Sequence, residues 1–196
     1  DYHLHSNFSF DCQEDLNELC QQAIRIGLTG ICFTDHCDFE TPSGKNSIFN
    51  IAEYQKTIHG LQKKYSGQLD IRIGIEVGMQ KQNLQKTRDF LHQGSFDFVI
   101  ASCHYIDGKT IFKETFCQGK SQIDAFRQYF MRIFEMVREF TDFQVLGHLD
   151  VIRRDKTFLE QPFHYADYGD IIDAIFRTII VRGQGIEINT AAPRYG

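Results

Sequence analysis

A chain of 196 residues with 42% hydrophobic and 24% charged residues can build one good core but not two ordinary domains. Its net charge of −5 argues against nucleic acid and anionic membrane as partners, so an anionic substrate would need locally placed cations. The six cysteines form no C-x-x-C pair, which fits a reducing, cytoplasmic setting better than a disulfide framework. No apolar run approaches the length of a membrane span, and no signal peptide is visible.

In chain order, short β-like runs alternate with longer helical patterns. The opening stretch DYHLHSNFSFD reads as a strand over 2–5, with His3 and His5 on one face because alternate strand residues point the same way. A helix follows over 15–26, with Leu16, Leu19, Ala23 and Ile26 at helical spacing and Gly27 as its stop. The run GICFT at 30–34 is a second strand, residues 50–65 a helix, and IRIGIEV at 71–77 a third strand. A helix over 83–93 precedes the fourth strand, DFVIAS at 97–102. The pattern then gives a long amphipathic helix over 123–140, a fifth strand at 144–147, a helix over 168–182 and a sixth strand at 185–189. Alternation of this kind implies a mostly parallel sheet covered by helices. No G-x-G-x-x-G follows the first strand and no P-loop occurs, which removes the usual nucleotide signatures of an open sheet and favours a TIM-like barrel.

The ionisable residues fall where such a barrel keeps its chemistry, at the C-terminal ends of strands. His3 and His5 stand on the first, Asp35 and His36 after the second, Glu76 on the third, His104 after the fourth, His148 and Asp150 after the fifth, and Glu187 and Asn189 on the sixth. Taken singly, a histidine at a strand end is more often a hydrogen-bonded structural residue than a ligand, and Glu76 alone would pass for a loop carboxylate. Asp35 is expected to support or cap rather than ligate. His59, His92 and His164, on helices or in a loop, are expected to be ordinary surface or packing residues. Recurrence at one end of successive strands is what points to metal. Of eight histidines, five fall there. His, Asp and Glu donors without cysteine suit Zn, Mn or Fe. The donors His3, His5, Asp11, His36, Glu76, His104 and His148 outnumber what one four-coordinate ion needs, so two or three divalent ions are expected. No serine or cysteine nucleophile with a paired base is evident, and no catalytic group beyond a metal-activated water is identified.

The ordered set HLH, an acid eight residues after the first histidine, TDH, GIE, SCH and GHLD resembles the PHP (polymerase and histidinol phosphatase) family over nearly the whole chain. DYHLHSNFSFD, GHLDVIRR and EINTAAPR look like its histidinol-phosphatase branch. The resemblance implies a single PHP domain over 1–196, folded as a distorted (βα)7 TIM-like barrel. It implies a trinuclear site in which His3, His5 and Glu76 hold one ion, Asp11 and His36 serve a second, and a bridging Glu76 with His104 and His148 serves a third. It further implies hydrolysis of L-histidinol phosphate, a small-molecule phosphate monoester of histidine biosynthesis, by a metal-bridging hydroxide. Arg153 and Arg154 after the fifth strand, and Arg194 after the sixth, are the expected phosphate partners; Lys45 is weaker, and Asp150 or Asp38 could read the imidazole. The family's closing Asp-x-His is absent after Asn189, so the chain is expected to be a C-terminal truncation lacking its last strand. The alternatives are an esterase or exonuclease acting on another phosphate ester, and a metal-binding PHP module without catalysis.

Overall fold

The computed structural model describes residues 1–111, 115–158 and 160–190. It has the mixed α/β character with parallel strands that the alternation implies. Two compact units form, one of Asp1–Gly78 with Gln85–Ile100, the other of Met79–Leu84 with Ala101–Gly196.

In the first unit, α1 (Leu16–Arg25) buries Leu16, Cys20 and Ala23, an i, i+4, i+7 stripe. The Asp15 carboxylate caps its start by accepting from Asn17 N, and Gly27 ends it at φ 82, where Leu28 N donates back to Ala23 O at 2.9 Å. The chain then forms β1 (Gly30–Phe33) and a two-residue β2 (His36–Cys37). Both pair in parallel with β3 (Asp70–Gly78), β1 through Ile31 opposite Ile71 and β2 through His36 opposite Glu76. Helix α2 (Ile51–Lys64) lies between β2 and β3 in sequence, and its buried Tyr54 donates a hydroxyl hydrogen bond to Gly74 O at 3.2 Å. After α3 (Leu84–Leu91), Asp97 N donates to Ile73 O at 2.7 Å and leads into β4 (Phe98–Ser102). Ile31, Cys32 and Phe33 in β1 and Ile75, Glu76 and Val77 in β3 are fully or almost fully buried, as expected of strands covered on both faces.

The opening segment departs from the expected strand. Only Leu4 bridges to β1, parallel to Phe33, while Leu4 N donates to Thr34 Oγ1 at 2.9 Å and Thr34 N to Leu4 O at 2.8 Å. Asp1 keeps its backbone on β1, its amine donating to Gly30 O at 3.1 Å and its carbonyl accepting from Cys32 N at 2.8 Å, while its carboxylate accepts from His3 N at 3.0 Å.

In the second unit, a hairpin of β5 (Tyr105–Ile106) and β6 (Lys109–Thr110) turns through Asp107 and Gly108, at φ 50 and 73. Helix α4 (Gln122–Glu139) is capped by Ser121, whose Oγ accepts from Asp124 N at 3.1 Å and donates to Asp124 Oδ2 at 2.7 Å. It buries Phe126, Tyr129, Phe130, Ile133 and Val137 and packs on α5 (Gly169–Ile180). Strand β7 (Val145–Leu146) joins β8 (Gly185–Ile186) in parallel, and Gly147 N donates to Ala101 O at 2.9 Å. The sixth strand is therefore shorter than the 185–189 expected.

Gly74 marks the tightest approach in the first unit. A Cβ there would stand 2.5 Å from Cys32 Sγ, 2.8 Å from Thr34 Cγ2 and 2.9 Å from Phe33 O. Gly74→Ala should force β1 away from β3 and cost about 1–3 kcal/mol. A thermal melt should record a Tm several degrees lower; an unchanged Tm would contradict this account of β1–β3 packing.

Candidate metal centre

Register sets the centre. Because β2 pairs with β3, His36 stands beside Glu76, and the Leu4 bridge brings the flanking His3 and His5 to the same end of the strands. Glu76 is buried, at 1% side-chain exposure, and its Oε2 lies 3.4 Å from His3 Nε2, 3.2 Å from His5 Nε2 and 3.0 Å from His36 Nδ1. His3 Nε2 and His5 Nε2 are 3.2 Å apart. Asp11 lies on the other side of His5 and His36, with Oδ2 3.1 Å from His5 Nδ1 and 3.4 Å from His36 Nε2.

These spacings test the fit of a metal ion. Four donors at about 2.0–2.1 Å from a tetrahedral ion lie about 3.3 Å from one another. The His3, His5 and Glu76 donor atoms are separated by 3.2–3.4 Å, so they match one face of that tetrahedron. His5, Asp11 and His36 form a second compact group. The donor chemistry, imidazole and carboxylate without thiolate, is that of zinc and its harder neighbours.

The electrostatics agree. Burial pulls the His5 imidazole down, but hydrogen bonds and charge from Asp11 and Glu76 outweigh it and raise its pKa to about 9. Burial raises the Asp11 carboxyl, yet hydrogen bonds from His36 and His5 hold it well below the usual carboxylate range. A negative field that retains a proton on an imidazole also favours a divalent cation in the same place.

Asp35 does not join the donors. It accepts from Ser6 N at 2.6 Å, Ser6 Oγ at 2.8 Å and Ser9 Oγ at 2.7 Å, and Ser9 Oγ in turn accepts from His36 N at 2.9 Å. Its buried charge pins the loop between His5 and Asp11. Asp38 is fully buried with Oδ2 3.3 Å from His36 Nδ1, so it belongs to the His36 environment. Its signal in the sequence was its place two residues after His36, hence on the same side of an extended segment. His59, His92 and His164 are exposed, as expected.

In the second unit, buried His104 and His148 bring their rings to 5.5 Å, tilted by 39°. His148 N donates to Glu187 Oε2 at 2.7 Å, Asn189 Nδ2 to Glu187 Oε1 at 3.3 Å, and Arg154 Nη2 to Asn189 Oδ1 at 3.0 Å. This chain of bonds orients the Arg154 guanidinium. Arg153 is exposed and lays its guanidinium over the Phe163 ring, 5.7 Å from the centroid. Arg194 lies outside the described residues. Burial pushes the thiol of Cys20 up to about 11 and those of Cys32 and Cys117 up to about 12, so none of the three is an activated nucleophile.

Comparison with known proteins agrees with this chemistry. The PHP domain model matches residues 1–191. A histidinol-phosphatase of Lactococcus lactis subsp. lactis is 34% identical over 97% of this chain and 71% of its own length. The crystal structure of L. lactis histidinol phosphate phosphatase, complexed with zinc, L-histidinol and phosphate, is 32% identical, with a TM-score of 0.93, covering 100% of this chain and 75% of that one. A Listeria monocytogenes hisK structure is 20% identical with a TM-score of 0.78, covering 97% of this chain and 82% of that one, a likeness of fold alone. The alternating α/β pattern, the imidazole–carboxylate cluster at the strand ends and the family match over residues 1–191 together make this chain a member of the PHP domain family.

Proposed function

We propose that the chain is a metal-dependent phosphomonoesterase that hydrolyses L-histidinol phosphate to L-histidinol and phosphate, a step of histidine biosynthesis. The observation that carries the reading is the Glu76 carboxylate oxygen held within 3.0–3.4 Å of three imidazole nitrogens, in a chain 34% identical to a histidinol-phosphatase. Two or three divalent ions, zinc foremost and manganese or iron as alternatives, are the proposed cofactors. Their ligands are His3, His5 and Glu76, with Asp11 and His36 beside them; His104 and His148 offer two further imidazoles. Divalent ions supply Lewis acidity, polarising phosphoryl oxygens and lowering the pKa of water.

The chain's own groups do the rest. Glu76 and Asp11 keep the imidazoles turned inward, and Asp35 fixes the loop that carries Asp11. Arg154, held by Asn189, presents a planar pair of donors suited to phosphate, and Arg153 and Arg194 are proposed to assist it. Water replaces the alcohol on phosphorus, and the departing alkoxide takes up a proton as L-histidinol. Buried thiols fit a cytoplasmic setting.

Purified protein supplied with Zn²⁺ or Mn²⁺ should release phosphate from L-histidinol phosphate faster than from a panel of other monoesters and from nucleotide diesters, and a chelator should abolish the release. Preference for another ester would redirect the substrate assignment, and no release from any ester would leave a metal-binding module. Glu76→Gln removes the shared anionic donor and should lower divalent-ion affinity at least tenfold, read as metal retained after dialysis, with the circular dichroism spectrum unchanged. Arg154→Ala should raise KM for the phosphate ester about tenfold or more while metal content stays constant; an unchanged KM would remove Arg154 from the substrate site.

A further inference from the structure

The loop that joins His5 to Asp11 carries two phenylalanines with opposite fates. Phe8 turns inward, with its ring 5.1 Å from that of Tyr54 and 6.1 Å from that of Phe49. Phe10 stays 66% exposed, although a large aromatic ring gains about 1.5–3 kcal/mol from burial. The exposure does not come from a loose loop. Ser6 and Ser9 are both bonded to the Asp35 carboxylate, and Ser9 N donates to Ser6 O at 2.9 Å. The loop therefore holds Phe10 where it is. One face of its ring stacks on the His36 imidazole, with centroids 5.0 Å apart and planes 27° from parallel. The ring adjoins Asp11 in the chain and His36 in space, and so overhangs the second donor group.

A rigid, half-covered aromatic platform at the edge of a phosphate-activating centre suits a flat ring joined by a short spacer to the phosphate. Histidinol phosphate has that shape, with an imidazole separated from its ester oxygen by three carbons. Resting on the phosphatase reading above, we propose that Phe10 is a substrate-positioning residue whose outer ring face stacks on the substrate's imidazole. It selects for esters bearing a planar heteroaromatic group. Stacked aromatic pairs favour offset, near-parallel geometry, which an exposed ring already seated on His36 is arranged to extend.

The chain has no tryptophan, so Phe10→Trp places a single indole at the platform. Titrating metal-loaded Phe10→Trp protein with L-histidinol should change the indole fluorescence saturably, whereas the ringless amino alcohol L-alaninol should not. In parallel, Phe10→Ala should raise KM for L-histidinol phosphate about tenfold with kcat within twofold, leave the rate on ringless O-phosphoethanolamine within twofold, and leave bound metal unchanged. Phe10→Tyr should restore the lower KM. Equal losses on both esters, or loss of metal, would overturn the proposal in favour of a role in holding His36. No fluorescence response to L-histidinol would overturn it as well. A saturable response in a protein that releases no phosphate would support Phe10 as an imidazole platform while defeating the phosphatase reading.

Discussion

A carboxylate with almost no solvent exposure, Glu76, is the constraint around which the first unit is organised. A buried anion is costly unless cations or hydrogen-bond donors surround it. Here the surroundings are the nitrogens of His3, His5 and His36, delivered from two other segments of chain. The parallel register of β2 against β3 sets His36 beside Glu76, and the Leu4 bridge fixes the two flanking imidazoles. A divalent ion supplies the same positive charge as protonated imidazoles and in addition accounts for donor spacings that match a tetrahedral edge.

The support around this group is also built from charge. Asp35 spends its buried carboxylate on two serines rather than on a metal, and thereby fixes the path from His5 to Asp11. The same loop sends Phe8 into the aromatic cluster with Phe49 and Tyr54 and leaves Phe10 at the rim. Placement of ligands and presentation of a ring to substrate thus follow from one set of hydrogen bonds. Gly74 matters for a related reason: the strand that carries Glu76 must lie close against Phe33 and Thr34.

Long periodic segments were legible in the sequence. The stripes through α1 and α4 and the Gly27 stop predicted those helices to within about two residues, because burial and capping act locally. The grouping of His3, His5, Asp11, His36 and Glu76 in the first unit was legible because parallel strands end on one side. Short elements were not. The opening strand shrank to one bridge because Asp1 and Thr34 compete for the backbone there, a contest that periodicity does not record. The β5–β6 hairpin did carry a signal, the Asp107–Gly108 pair flanked by Ile106 and Lys109, and it was overlooked among the helices. The sixth strand ended early as the Glu187 side chain turned to His148. Asp38 was considered only as a substrate contact, although its place two residues after His36 in an extended segment carried the signal for its approach.

Anomalous diffraction at the zinc edge, from crystals grown with zinc, addresses the central claim most directly. The account predicts a peak about 2.0–2.2 Å from His3 Nε2, His5 Nε2 and an Oε atom of Glu76. A map with no peak among these three side chains, or with zinc bound only elsewhere on the molecule, would contradict it.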